Sequence, residues 1–428
     1  MALAGSLVLP VNLIAADKRI KLGILGTGWW GTDKLLPNML ATGLFELVAL
    51  CDVDSVALEH AADVAEKAGA HRPRLYPSYK EMYTLPGLDA VVIATPTHWH
   101  ALQFIDACRQ GLHVFLEKPV SYDIPESQAM LNAKIRAGNI VQVDFPRVMR
   151  GTNHPVKKFI LSGEAGKIYQ VQAQIYYPDV DMVEKEIPST LDFETYCGPV
   201  ERPRFLCKPE QDTLNWRGIH NMSRGTMVDW GIHYIHNVRQ VLDLGMPQKV
   251  SAAGGITRLF THDNPDHLEA LFDFGGLPVN WSHRTWGIPY TEPGHEIGVF
   301  YYGDKATIFA SDHEWEIYPA GEEGKVIKGE LDDYSMNTSR RGIDSQRFRD
   351  LFIEFAQAIH AGSNDPVTNT LEEAIKTTSC VNFADIAYLL GETLELENGN
   401  LAANQSDRAV TSLKREYRQP YLHPYTGE

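Results

Sequence analysis

Ile20-Lys-Leu-Gly-Ile-Leu-Gly26-Thr-Gly28-Trp-Trp-Gly31-Thr-Asp-Lys-Leu-Leu36 runs from an apolar β-run through a glycine turn into the pattern of a first helical turn. Glycine permits a tight turn and lets bare backbone approach a pyrophosphate, while a helix N-terminus offers unpaired N–H donors. Three glycines alone also suit an ordinary structural turn. The context decides: a second apolar strand, Phe45 to Cys51, ends in Asp52, at the distance from which a carboxylate hydrogen-bonds a ribose diol. Strand, turn, helix, strand and acid together predict a dinucleotide site that includes Gly26, Gly28, Trp29, Trp30, Gly31 and Asp52.

Outward from this unit, strand and helix patterns alternate to about residue 145. Asp89 to Thr95 reads as a buried parallel strand ending at Pro96, and residues 99–110 as a helix stopped by Gly111. His113 to Pro119 is a further strand with charged residues at its carboxyl end. Ile124 to Ala137 reads as a helix capped by Gly138, and Asn139 to Asp144 as the closing strand. Ligands of such sheets lie beyond the carboxyl ends of the strands. Thr95, Pro96, His98, His100, Glu117 and Lys118 fall there and join the predicted cofactor site.

After residue 146 the pattern changes. Tyr169 to Tyr176 alternates with period two, and strands are predicted at 249–257, 267–273, 278–284, 297–302 and 306–310. Two long helices follow at about 345–361 and 370–391. The fold class is therefore α/β: a doubly wound parallel sheet over 19–145, then a domain over 146–428 with a large, mostly antiparallel sheet, helices on one face and the other open.

The 428 residues are 44% apolar and 22% charged, with 39 basic against 55 acidic side chains and a formal charge of −16. That balance argues against nucleic acid or an anionic membrane as partner. Five cysteines form no CxxC pattern. Cys51 and Cys108 read as small buried hydrophobes, and Cys197 and Cys207 are close enough in sequence to pair. Met1 to Ala16 carries no charge, is mostly apolar and ends in small residues before Asp17-Lys-Arg. It is too short to span a bilayer and resembles the apolar core and cleavage region of an export signal without its basic start, so residues 1–18 are set apart and export to the periplasm is expected. An N-terminal arm in a cytoplasmic protein is the alternative.

Two constellations carry chemistry. Lys118 stands between Glu117 and Pro119 where the cofactor is predicted, and an ammonium there can shuttle a proton. In Gly225-Thr-Met-Val-Asp229-Trp-Gly-Ile-His233-Tyr-Ile-His236, helical spacing places Asp229, His233 and His236 on one face. Asp229 could orient His233, or both could grip a substrate diol while His233 acts as general base. A polar face turned to solvent is the plain alternative. A zinc reading lacks the usual metalloprotease spacing, so no metal is expected. Arg147, Arg217 and His220 are further candidates for substrate contact, weighed against structural salt bridges.

In their order these motifs resemble the Gfo/Idh/MocA family of nicotinamide-dependent oxidoreductases. The matching residues are Gly26-x-Gly28-x-x-Gly31, Asp52, Thr95-Pro96-x-x-x-His100, Glu117-Lys118-Pro119, Asp229-x-x-x-His233, Tyr301-Tyr-Gly-Asp-Lys-Ala-Thr307 and Ile386-Ala-Tyr-Leu-Leu-Gly391. The resemblance implies an N-terminal Rossmann domain, an open C-terminal sheet used for homo-oligomerisation, and NAD as cofactor. It makes Lys118 the active-site lysine and Asp229 with His233 the substrate-binding and acid/base pair. Either Lys118 or His233 would take the hydroxyl proton. His236 stands where many relatives carry Asp, and Lys305-Ala306 replaces a commoner turn.

The implied activity is NAD-dependent oxidation of a secondary hydroxyl of a sugar, polyol or glycoside. The alternative is a glycosidase-like enzyme that keeps NAD bound and cleaves a glycoside through transient oxidation; a cofactor-binding sensor is a third reading. Asp52 favours NAD over NADP, because a carboxylate repels a 2′-phosphate and no Arg occurs in Cys51-Asp-Val-Asp-Ser-Val56.

Overall fold

The computed structural model describes residues 19–145, 151–287, 295–312, 314–330 and 340–425. The export-signal reading of residues 1–18 and the candidate Arg147 lie outside them. No helix among the described residues is long and apolar enough to cross a membrane.

Six strands, β1 (Ile20–Leu25), β2 (Phe45–Cys51), β3 (Arg74–Tyr76), β4 (Ala90–Ile93), β5 (His113–Glu117) and β6 (Val141–Asp144), form one sheet in the order β3-β2-β1-β4-β5-β6. Every pairing is parallel. Val91, Val92, Ile93, Val114, Phe115 and Leu116 are fully buried, so these strands are covered on both faces, as parallel strands must be. Strand order reverses between β1 and β4, and the glycine turn and Thr95-Pro96 leave the sheet on either side of that crevice, where such folds bind ligands. The helix Ile124–Ala137 has the predicted bounds: Asp123 and Glu126 form a capping box, and Gly138 ends it at φ 65°.

The turn after Gly31 departs from the expected α-helix. The helix opens with an α-type bond from the Thr32 N–H to the Gly28 carbonyl (2.9 Å), passes through a π-helical turn over Gly31–Leu35 closed by the Leu36 N–H on the Gly31 carbonyl, and continues as α-helix over Leu36–Ala41. Pro37 in its first turn has no N–H to continue an α-ladder from the preceding residues.

Among the described residues twelve further strands follow: β7 (Ile168–Tyr176), β8 (Val183–Glu184), β9 (Leu206–Cys207), β10 (Lys249–Gly255), β11 (His267–Asp273), β12 (Pro278–Arg284), β13 (Ile297–Gly303), β14 (Ala306–Ala310), β15 (Glu314–Pro319), β16 (Ile327–Glu330), β17 (Leu394–Glu397) and β18 (Asn400–Leu401). All but β8 and β9 build a ten-stranded sheet, β16-β15-β14-β13-β7-β12-β11-β10-β17-β18, in which β7 and β12 are the parallel pair. Val171, Ala173 and Ile175 of β7 point into the core with Val279 and Trp281 of β12. The opposite face carries Gln172, Glu269, Leu271 and Asn280 along a shallow depression.

One element from beyond residue 145 packs on the N-terminal sheet. The helix Arg340–Ala361 returns to the N-terminal sheet, where Phe348, Leu351, Phe352 and Phe355 pack with Phe45 and Phe115. Phe352 stacks on Phe115 at 4.4 Å between ring centres. Burying each such ring contributes roughly 2–3 kcal/mol, so the N-terminal core depends on a segment some two hundred residues downstream. Cys197 and Cys207 do not pair; all five cysteines are free and buried.

Candidate active site

Each glycine of the turn has its own reason. Gly26 has φ 91°, and a Cβ there would lie 2.7 Å from the Ala94 backbone of the next loop. A Cβ on Gly31 would meet the Gly26 carbonyl oxygen at 2.1 Å. Gly28 faces open space within 4 Å, which is the gap a pyrophosphate needs for close backbone approach. The turn therefore fits a dinucleotide.

Asp52 first supports the turn itself. Its Oδ2 accepts from the Thr27 main-chain N–H (2.6 Å) and hydroxyl (3.1 Å), and its Oδ1 from the Asp54 N–H (3.0 Å). Burial raises its pKa, and these donors offset only part of that. The loop after Asp52 is stapled to the C-terminal half: Ser55 N–H donates to the Thr190 carbonyl (3.0 Å) and Asp192 N–H to the Val53 carbonyl (2.9 Å). The same segment runs on to Tyr196, whose carbonyl accepts from His98 Nε2 (2.9 Å) and Trp99 Nε1 (3.0 Å). A belt from 190 to 196 thus joins the loops after β2 and after β4.

His98 and His100 are struts. Burial lowers the His98 pKa to about 3 and also lowers that of His100. His100 lies between the carbonyls of Pro119 (Nδ1, 2.8 Å) and Thr95 (Nε2, 2.8 Å), tying together the loops that carry Thr95 and Lys118. Neither ring lines the cavity described next, and neither do Gly26, Gly28, Gly31, Asp52 and Pro96.

That cavity, about 550 Å³, is lined by Trp29, Trp30, Thr95, Glu117, Lys118, Asp229 and His233, together with Tyr177, Lys208, Trp216 and Arg217. Lys118 Nζ donates to Asp229 Oδ1 (2.8 Å) and to the Asp229 carbonyl (2.7 Å). Arg217 Nε donates to Asp229 Oδ2 (3.1 Å), and its guanidinium stacks over Trp216 at 4.4 Å. Burial would push the Asp229 carboxyl up, but the charges and hydrogen bonds of Lys118 and Arg217 prevail and hold it at about 2. His233 packs edge-on to Phe145 and Trp230.

The continuous helix face expected from Asp229 to His236 is broken. Asp229 ends the short helix Gly225–Asp229, Trp230 forms a joint, and the helix Gly231–Leu242 starts afresh. Asp229 and His233 still meet at the cavity, but His236 does not. It stacks on Phe145 at 4.2 Å, its Nδ1 pairs with Thr377 Oγ1 at 2.8 Å, and burial lowers its pKa to about 3. The substrate contact expected of His220 likewise gives way. Its Nε2 lies 3.2 Å from Asp385, which also binds Arg224 at 2.6 Å, in a buried network outside the cavity.

Several lining residues escaped the sequence reading. Asp144 ends a strand that was read, and a charge closing an otherwise apolar strand, as at Glu117, was its signal. Lys208 and Asp179, an ion pair at 2.5 Å, sit in a stretch with no legible periodicity. Phe348 reaches the cavity from the returning helix. Among the described residues the one His/Asp/Glu cluster of metal-binding geometry is Asp123, Glu126 and His423. It lies outside this cavity, and the Arg415 guanidinium already pairs with Glu126 at 2.8 Å.

Residues 20–145 match the family model described as oxidoreductase family, NAD-binding Rossmann fold. The chain is 30% identical over 204 residues to an uncharacterized oxidoreductase of Rhizobium meliloti, covering 45% of this chain and 58% of that protein. It is 31% identical over 144 residues to a glycosyl hydrolase family 109 protein of Stenotrophomonas maltophilia, covering 32% of each. The chain thus spans less than two-thirds of the length of these curated relatives. Among solved structures, an inositol dehydrogenase homolog of Azotobacter vinelandii, complexed with NADH and myo-inositol, superposes with TM-score 0.68 at 17% identity over 89% of this chain and 98% of that one. The shared fold spans both domains.

Proposed function

Residues 20–145 belong to the NAD-binding Rossmann domains of the Gfo/Idh/MocA oxidoreductases, and from that premise we propose that the chain oxidises a secondary hydroxyl of a sugar, polyol or glycoside with NAD. The observation that carries this is the Lys118–Asp229–Arg217 chain, with His233 beside it, in one cavity with Trp29 and Trp30, the two residues that precede Gly31 in the glycine turn. Bound NAD supplies the hydride acceptor. Gly26 to Gly31 and Asp52 would hold it, and the carboxylate with no nearby Arg disfavours a 2′-phosphate. Lys118 or His233 takes the hydroxyl proton, and either must be within about one hydrogen bond of it. Asp229, ionised, fixes the Lys118 ammonium and leaves Arg217 to present its remaining N–H groups to the substrate. Polar groups beside Trp216 and Tyr177 suit a polyhydroxylated ligand with apolar C–H faces.

Supplying NAD with a panel of free sugars and polyols tests the reading. NADH should accumulate with at least one; failure across the panel, with NAD bound, counts against it.

One observation favours the glycosidase-like reading: the 190–196 belt pinned on the Asp52 loop would hinder exchange of a dinucleotide. A redox-neutral cycle has no need of exchange. In that reading a temporary ketone acidifies the neighbouring C–H, and the same Lys118 and His233 handle its proton. Protein that purifies with NAD and cleaves an aryl glycoside without net NADH would support it. We also propose that the outward face of the ten-stranded sheet, where Leu271 and Tyr302 are exposed, meets a second copy of the chain. Sedimentation of a Leu271→Lys variant as a monomer would bear on this.

A further inference from the structure

Two carboxyl groups end neighbouring strands at the same level. Glu117 closes β5 and Asp144 closes β6, and the parallel register sets them side by side. Both are buried, and both line the cavity with Lys118. Their donors are unequal. Glu117 accepts the Trp30 indole N–H on Oε1 and the Lys118 main-chain N–H on Oε2 (3.1 Å). Asp144, fully buried, has no donor of its own among the described residues: the Trp30 indole N–H that acts on it is the one Glu117 accepts.

A buried carboxylate without donors is costly, and two adjacent ones cost more. The usual relief is a shared proton. The donor count puts it on Asp144, whose O–H then donates to Glu117. Burial and the Glu117 carboxylate push the Asp144 carboxyl well above its ordinary range, while Lys118 and the nearby Trp30 pull the other way. Across the cavity stand Asp229 and His233. Of the helices packed on β6, Arg340–Ala361 carries the buried Arg347, and Leu371–Leu390 carries Glu372 and Glu373, already paired with Lys134 and Arg239.

We propose that Asp144 is a proton-holding positioning residue of this site, hydrogen-bonded to Glu117, and that the pair takes up and returns the proton that Lys118 handles during hydroxyl oxidation. This rests on the oxidoreductase reading above. The Lys118 ammonium, held by Asp229, first gives one proton to the Glu117 carboxylate, and the pair passes from one proton and a single negative charge to two protons and none. The substrate O–H bond then breaks and an N–H bond forms on the freed Lys118 amine, using its nitrogen lone pair, which restores the ammonium. The hydride would leave the carbon with both electrons of its C–H bond for bound NAD. In the reverse direction the proton returns by the same route.

The test is infrared spectroscopy of the whole protein at neutral pH, with Asp144→Asn and Glu117→Gln variants whose folding is checked by circular dichroism. The wild type should show a protonated-carboxyl C=O stretch that shifts on deuteration, disappears in Asp144→Asn and moves in Glu117→Gln. In turnover, Asp144→Asn should lower kcat roughly tenfold, leave KM within about twofold, and shift the pH profile. No such band in the wild type, or an unaltered pH profile in Asp144→Asn, would overturn the proposal. A band in the wild type with NAD-dependent turnover in neither protein would overturn the oxidoreductase reading, and the proton-handling role with it.

Discussion

Lys118 Nζ grips Asp229 twice, at the carbonyl (2.7 Å) and at Oδ1 (2.8 Å), across 111 residues of sequence. The contact joins the end of a Rossmann strand to the C-terminal half, with both side chains largely buried. It places a movable proton and a fixed negative charge in one cavity.

Lys118→Met should remove the proton carrier without emptying the dinucleotide cradle. Turnover should fall about 10²- to 10⁴-fold, while NAD affinity measured by calorimetry changes little. Loss of NAD binding with intact folding would assign Lys118 to the cofactor instead.

Asp229 makes a pH-dependent contribution to stability. Its folded pKa of about 2 lies below the ordinary 3.8, so the stabilisation is present above about pH 4 and is lost as pH falls toward 2. The full effect is on the order of 2 kcal/mol. Urea midpoints of wild type and Asp229→Asn should converge over that window; a constant gap would count against the ionised triad.

Asp52→Asn should weaken NAD binding roughly ten- to hundredfold and narrow its advantage over NADP, because a charged acceptor is lost. Paired titrations with the two dinucleotides check this. Unchanged discrimination would leave Asp52 as a support for Thr27 alone.

Phe352→Ala should destabilise the N-terminal domain although residue 352 lies far outside it in sequence. The cost should be about 3–5 kcal/mol, read from chemical denaturation, with NAD affinity falling as the domain loosens. A variant within about 1 kcal/mol of wild type would show that the returning helix is dispensable.

The sequence pattern carried the parallel sheet because the glycine turn, the apolar strands and the Gly138 cap are local signals. It also carried six strands of the large sheet, with period-two alternation as the signal in Tyr169 to Tyr176. Elsewhere a tertiary decision overrode the local one. Helical spacing placed His236 with His233, but the joint at Trp230 turned it onto Phe145. Phe348 reached the cavity through a return of the chain that no local period encodes. His98 and His100 stood at the right strand end, yet their partners, the carbonyls of Tyr196, Thr95 and Pro119, are fixed only by the fold. Asp144 was visible as a strand end and became chemical only once β6 was set beside β5.

The central claim is that one cavity brings NAD and a hydroxyl together between Lys118 and His233. A crystal structure of the protein soaked with NAD and a polyol that it turns over tests this most directly. The account predicts pyrophosphate density at Gly28 and a substrate hydroxyl hydrogen-bonded to Lys118 Nζ or His233. A dinucleotide bound elsewhere, or substrate seated away from both side chains, would contradict it.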